Sequence, residues 1–158
     1  MVTLVTHGIK ISVLTEYQQQ FFHTPRTPDL PYKLAQPVTD SLPSATGGML
    51  SSKLEQMIFL FSYHISIDNK SEYVVQLLRR HWYIFDSCGE YREVEGEGVV
   101  GEYPILAPGD VYEYESACNL TTEIGKMSGT YLMERKIGKV PFKVRIPEFE
   151  LIVPHKLN

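Results

Sequence analysis

The chain holds 158 residues, 43% of them hydrophobic and 22% charged, with a formal net charge of −4. That length argues for one domain at roughly 150 residues each, and the composition excludes collagen-like, coiled-coil and wholly disordered chains. No run of 18 or more apolar residues and no basic, then apolar N-terminus occurs, so the expectation is a cytoplasmic protein without a membrane partner.

Strand periodicity dominates the chain order. Ile9–Tyr17 alternates weakly, and Phe59, Phe61, Tyr63, Ile65 and Ile67 alternate with Leu60, Ser62, His64 and Ser66 as a half-buried strand should. Between them, the segment Gln18–Gln56 carries five of the ten prolines and no sustained period. It reads as a Pro-rich insertion, with Pro25-Arg26-Thr27-Pro28 and Pro28-Asp29-Leu30-Pro31 as loose polyproline-type motifs. A helix over Ser51–Phe61 is the weaker reading, because its second half alternates with period two.

Past the turn residues Asp68-Asn69-Lys70-Ser71, Tyr73–Phe85 is rich in β-branched and aromatic residues, and Asp86-Ser87-Cys88-Gly89 suits a tight hairpin. Further strands are expected at Tyr91–Glu95, Val99–Leu106, Val111–Ser116, Gly129–Arg135 and Val140–Val153. In the last run, Phe142, Val144 and Ile146 fall out of phase with Phe149, Leu151 and Val153 across Pro147-Glu148. A proline at a phase slip points to a bulge. Short strands at this spacing predict an all-β sandwich of seven to eight strands, with Trp82 as a buried core residue.

The two cysteines, Cys88 and Cys118, are too few for a disulfide framework or a cysteine-based zinc site and read as reduced thiols. His7, His23, His64, His81 and His155 show no ligand spacing, and no nucleophile–base arrangement appears. The expectation is therefore a protein that is not an enzyme and needs no cofactor.

Gly96-Glu97-Gly98-Val99-Val100-Gly101 satisfies G-x-G-x-x-G. A dinucleotide site would need a helix to follow it, and Glu102-Tyr103-Pro104-Ile105-Leu106 is extended instead. Two readings stay open: bulges and positive-φ turns between strands, or a nest of amides that binds an anion together with Arg79 and Arg80. Charge bears on the choice. Asp86–Glu115 holds nine acids against the single base Arg92, a local −8 that leaves +4 for the rest of the chain. Such a field repels an anion over about 8–10 Å and fits a divalent cation or a basic protein better. The positive remainder lacks an aromatic-interleaved stripe, so nucleic acid is not an expected partner.

One set of spaced strings resembles a known family. Val75-Gln76-Leu77-Leu78-Arg79-Arg80-His81-Trp82, then Val94 to Gly109 with the glycine motif and Pro104-x-Leu106-x-Pro108-Gly109, is followed by Gly125-x-Met127-x-Gly129-x-Tyr131 and Phe142-x-Val144-x-Ile146-Pro147-x-Phe149-x-Leu151. In this order they look like the ApaG family over Met57–Pro154. The resemblance implies an immunoglobulin or fibronectin type III-like β-sandwich in a small bacterial cytoplasmic protein of unsettled biochemical role, linked to cobalt and magnesium tolerance. Eukaryotic relatives fused to F-box and polymerase-interacting proteins imply protein binding. A pyrophosphate site proposed for the family would fall on Gly96, Gly98 and Gly101. Gln18–Gln56 departs from the family pattern, whose connection between the first two strands is much shorter.

Overall fold

A computed structural model describes residues 1–23 and 56–156, with side chains at 1–21 and 56–155. Among them the chain is all β apart from one 3-10 turn, Pro154–Lys156. The strands are β1 (Val2–Thr6), β2 (Ile9–His23), β3 (Gln56–Asn69), β4 (Val75–Asp86), β5 (Tyr91–Glu97), β6 (Ile105–Leu106), β7 (Val111–Leu120), β8 (Ile124–Arg135) and β9 (Val140–Ile152). One antiparallel sheet runs β1-β2-β3-β7. The other runs β5-β4-β8-β9, with the two-residue β6 also paired to β4. The expected sandwich is present, enlarged by β1, which the sequence reading did not anticipate.

Alternation explains the core. Ile9, Ile11, Val13, Phe61, Tyr63, Ile65 and Ile67 face inward from the first sheet, and Leu77, Trp82, Ile84, Met127, Tyr131, Val144 and Leu151 from the second. Trp82 sits in the middle, its ring 5.3 Å from Tyr63, 5.9 Å from Phe149 and 6.4 Å from Tyr131. Gly129 lies beneath it, and a Cβ there would stand 2.3 Å from the His81 carbonyl oxygen.

Three bulges set which residues point inward. The phase slip at Pro147-Glu148 is one of them: Met127 pairs with Phe149 and Gly129 with Ile146, so Ser128 faces two residues of β9. Buried Pro147 suits that place, having no N–H to leave unpaired. A second bulge, at Gln18, corrects the boundary of the expected insertion. β2 continues past it to His23, because the extra residue and the run Gln18-Gln19-Gln20 hide the strand's period. The rest of that expected insertion, with both proline motifs, lies outside the described residues. The third bulge, at Leu78, turns β4 so that Arg80, Trp82 and Ile84 share the inward face.

Two buried polar side chains fasten the corners. Asn69, at the crossing between sheets, donates from Nδ2 to the Tyr73 and Leu106 carbonyls and accepts from the Ser71 amide and hydroxyl. Asp86, only 3% exposed, closes the β4–β5 hairpin end and accepts the Thr121 amide at 2.6 Å, the Thr121 hydroxyl at 2.8 Å and the Thr122 hydroxyl. Burial alone would raise its carboxyl; those donors and the Arg92 charge outweigh it and hold the group below the usual range. Asp86→Asn is expected to cost about 2 kcal/mol, since an amide cannot accept all three donors. A depressed native pKa stabilises the fold above the unfolded value near 4. Stability is therefore lost as pH falls through the acid range, and urea unfolding of the variant should show a shallower acid slope than the natural chain.

Tyr114 and Tyr131 share a hydroxyl contact of 2.5 Å inside the core. Burial raises both phenols, and Tyr63 beside them, above the ordinary value of 10. The native state keeps them neutral while the unfolded chain ionises near pH 10, so their contribution is complete below pH 10 and fades above it. Each such group gives a slope of about 1.4 kcal/mol per pH unit in that range, and Tyr131→Phe should remove one group's share in alkaline urea titrations.

Candidate functional site

The glycine motif forms a turn whose own polar groups are largely engaged. Gly98, at φ 60, donates its amide to the Leu78 carbonyl at 2.8 Å. Val99 and Glu102 exchange both backbone hydrogen bonds, at 2.9 and 2.8 Å, around Val100 (φ 44) and Gly101 (φ 79). Two successive positive φ values make a type I′-like turn, which corrects the expected continuous strand over Val99–Leu106. Val99 is fully buried and anchors the turn, while Gly101 stands at its exposed tip.

Arg79 and Arg80 both reach this region, from opposite faces of β4. The Leu78 bulge brings Arg80 to the inner side, where Nη1 donates to the carbonyls of Glu97 at 2.9 Å and Gly98 at 2.8 Å. Its guanidinium lies flat over Gly96, within 3.0 Å of where a Cβ would be. Arg79, on the outer side, pairs with Glu97 at 3.5 Å, and Glu97 also accepts the Tyr103 hydroxyl at 3.0 Å. The structure thus brings Gly96, Gly98, Arg79 and Arg80 together and leaves Gly101 at the rim. What converges on Arg80 is a pair of carbonyl oxygens, and the amides of Gly98, Val99 and Glu102 are already bonded to backbone.

Five acids of the −8 stretch lie on two edge strands at one side of the sandwich, Glu93, Glu95 and Glu97 on the outer face of one sheet and Glu113 and Glu115 on the outer face of the other. β5 and β7 are each the last strand of their sheet. They lie on the same side, since Arg92 of β5 donates to the Asn119 carbonyl of β7, and Tyr112 of β7 donates to Glu102 at 2.7 Å. Glu93, Glu95 and Glu97 are exposed on β5, and Glu113 and Glu115 on β7. His81 lies between two of them, Nε2 at 2.8 Å from Glu93 and Nδ1 at 2.8 Å from Glu95, with its ring stacked on Tyr83 at 4.3 Å. Glu113 faces His64 at 3.6 Å.

This bracket of His81 by two glutamates was not anticipated. Its only trace in the sequence is the alternation Glu93-x-Glu95 opposite a histidine, and the pairing register was needed to see it. Ligand atoms of Asp86, Cys88 and Glu90 also lie within 4.8 Å of one another, but both Asp86 oxygens already accept hydrogen bonds from Thr121 and Thr122. Cys118 is buried against Arg92, and burial pushes its thiol up to about 11, whereas Cys88 is exposed. A thiol reagent should therefore label Cys88 in the native protein and Cys118 only on unfolding; equal rates would contradict this packing.

The ApaG domain model matches residues 50–135, more than half of the chain. The chain belongs to the ApaG family. Protein ApaG of Paramagnetospirillum magneticum is 51% identical over 98 residues, covering 62% of this chain and 75% of that protein. Protein ApaG of Brucella canis is 44% identical over 107 residues, covering 68% and 82%. Among solved structures, an ApaA protein of Bordetella pertussis superposes with a TM-score of 0.67 at 34% identity, covering 92% of this chain and 94% of its own. A structural-genomics target superposes at 0.69, also 34% identical, covering 93% and 88%. The matched ApaG segment contains the glycine turn, β4, β5 and β7. No helix among the described residues is long and apolar enough to cross a membrane.

Proposed function

We propose that this ApaG-family chain is a non-enzymatic, cytoplasmic binding module whose acidic β5–β7 margin receives a basic protein surface. The observation that carries the reading is the placing of Glu93, Glu95, Glu97, Glu113 and Glu115 on two terminal strands at one side of the sandwich. Clustered charge of one sign speeds encounter with the opposite sign and rejects like-charged partners, nucleic acid and anionic lipid included. Arg79, Arg80 and Arg92 are turned to Glu97, to backbone carbonyls and to Asn119, and their charges offset part of the field, but the glutamates outnumber them on these strands.

A pyrophosphate or dinucleoside polyphosphate at Gly96, Gly98 and Gly101 is the alternative, supported by the nearness of Arg79 and Arg80. Against it stand the engaged amides and the acids around the turn. Calorimetric titration separates the two. A lysine-rich peptide should give heat that shrinks with added salt and is at least about tenfold weaker against Glu93→Lys/Glu95→Lys. Heat from pyrophosphate, diadenosine polyphosphates, magnesium or cobalt, with none from the peptide, would overturn the protein-binding reading.

A further inference from the structure

We infer that β5 receives its partner by strand addition, as an extended segment with Lys or Arg at alternate positions. This rests on the reading of the acidic margin as the binding face and specifies how that face is used. β5 is the outermost strand of its sheet, and its pairing with β4 runs without a break from Tyr91–Phe85 to Glu97–Arg79. Natural edge strands are protected by charged side chains, prolines, bulges or a covering element. The seven residues of β5, Tyr91-Arg92-Glu93-Val94-Glu95-Gly96-Glu97, contain no proline and no bulge, so the guard on this edge is charge, which repels an acidic strand and admits a basic one. On the neighbouring edge strand β7, the Asn119 carbonyl is already taken by the Arg92 side chain.

Side-chain chemistry selects the occupant. Glu93, Glu95 and Glu97 share the outer face of β5, with His81 and Arg79 as their neighbours on the β4 side. On the open side, an added strand would place the Cβ of every second residue about 5 Å from the Cβ of one of these glutamates, the separation of a cross-strand pair. Lys or Arg at those positions completes the ladder. The alternate positions meet the other face of β5, where Val94 is 42% exposed and favours an apolar residue. The recognised pattern is basic, apolar, basic, apolar, basic. A second copy of the chain does not fit, since pairing β5 with itself on the same face sets glutamate opposite glutamate, which destabilises the pair. Backbone pairing supplies affinity and the charge ladder supplies selectivity, the division of labour in strand-addition complexes.

The test uses the full chain and the peptide Lys-Val-Lys-Val-Lys-Val-Lys, alongside the same peptide N-methylated on one edge so that charge is kept and pairing is blocked. Amide exchange followed by NMR should slow at least about tenfold at alternate residues of β5 with the first peptide, and the methylated peptide should bind at least about tenfold more weakly. Salt-dependent heat with unchanged β5 exchange, equal binding of both peptides, or protection on β7 instead would overturn strand addition while leaving the acidic margin as the binding face. No heat from either peptide would remove both readings.

Discussion

Trp82→Ala should lower the unfolding free energy by about 3–5 kcal/mol, measured by urea denaturation at neutral pH. The ring is 3% exposed and is met by Tyr63, Tyr131 and Phe149 from both sheets. The backbone of β8 is held close to it by Gly129, whose missing side chain lets β8 approach the His81 carbonyl. Removing the indole leaves a void that neither sheet can close without breaking its ladder, so the cavity cost adds to the lost transfer energy. A domain of this size has only about 5–15 kcal/mol in hand, and the variant should be partly unfolded at moderate urea. A loss under about 1 kcal/mol would mean that Trp82 is not the centre of the core.

Gly98→Ala should cost about 3 kcal/mol, whereas Gly101→Ala should cost only about 1 kcal/mol. Both residues have positive φ, so both substitutions carry the left-handed penalty. They differ in space. A Cβ at Gly98 would lie 2.3 Å from the Glu102 carbonyl oxygen, inside the paired Val99–Glu102 turn, while at Gly101 nothing lies within 4 Å. Backbone cannot swing aside as a long side chain would, so Gly98→Ala must break the turn or unseat Val99 from the core. Peptide binding should survive in whatever fraction of each variant is folded, because the proposed face is β5 and not the turn. A variant that folds fully but loses binding to an anion would instead favour a ligand nest at Gly98.

The sandwich was legible because its strands are half-buried and alternate, as Phe59 to Ile67 do without a break. The Pro147 bulge was legible for a related reason: a bulge in a two-faced strand shifts the apolar phase, and proline marks the site. The bulges at Gln18 and Leu78 left no such mark. Gln18 sits in a run of glutamines with no phase to shift, and the pair Leu77-Leu78 offers an apolar residue to either register. The consequence for the site is direct, because the direction of Arg80 depends on the Leu78 bulge. The string Arg79-Arg80 reads as two equivalent cations, yet one pairs with Glu97 across the outer face and the other is fixed on carbonyls at the inner side. Likewise the net charge of Asp86–Glu115 was readable, but not that β5 and β7 bring distant parts of it to one margin. β1 escaped notice because its five residues are mostly exposed and its pairing to β2 comes from the His7-Gly8 turn rather than from an apolar pattern.

The most direct test of the acidic margin as the binding face is zero-length carbodiimide coupling in a native extract, with the coupled peptides of the full chain identified by mass spectrometry. This reagent joins a carboxylate to a lysine only where the two already touch. The expected result is a partner lysine joined to Glu93, Glu95 or Glu97, lost at high salt and in Glu93→Lys/Glu95→Lys. A chain that emerges uncoupled at low salt, or whose couplings fall only on carboxylates away from β5 and β7, would contradict it.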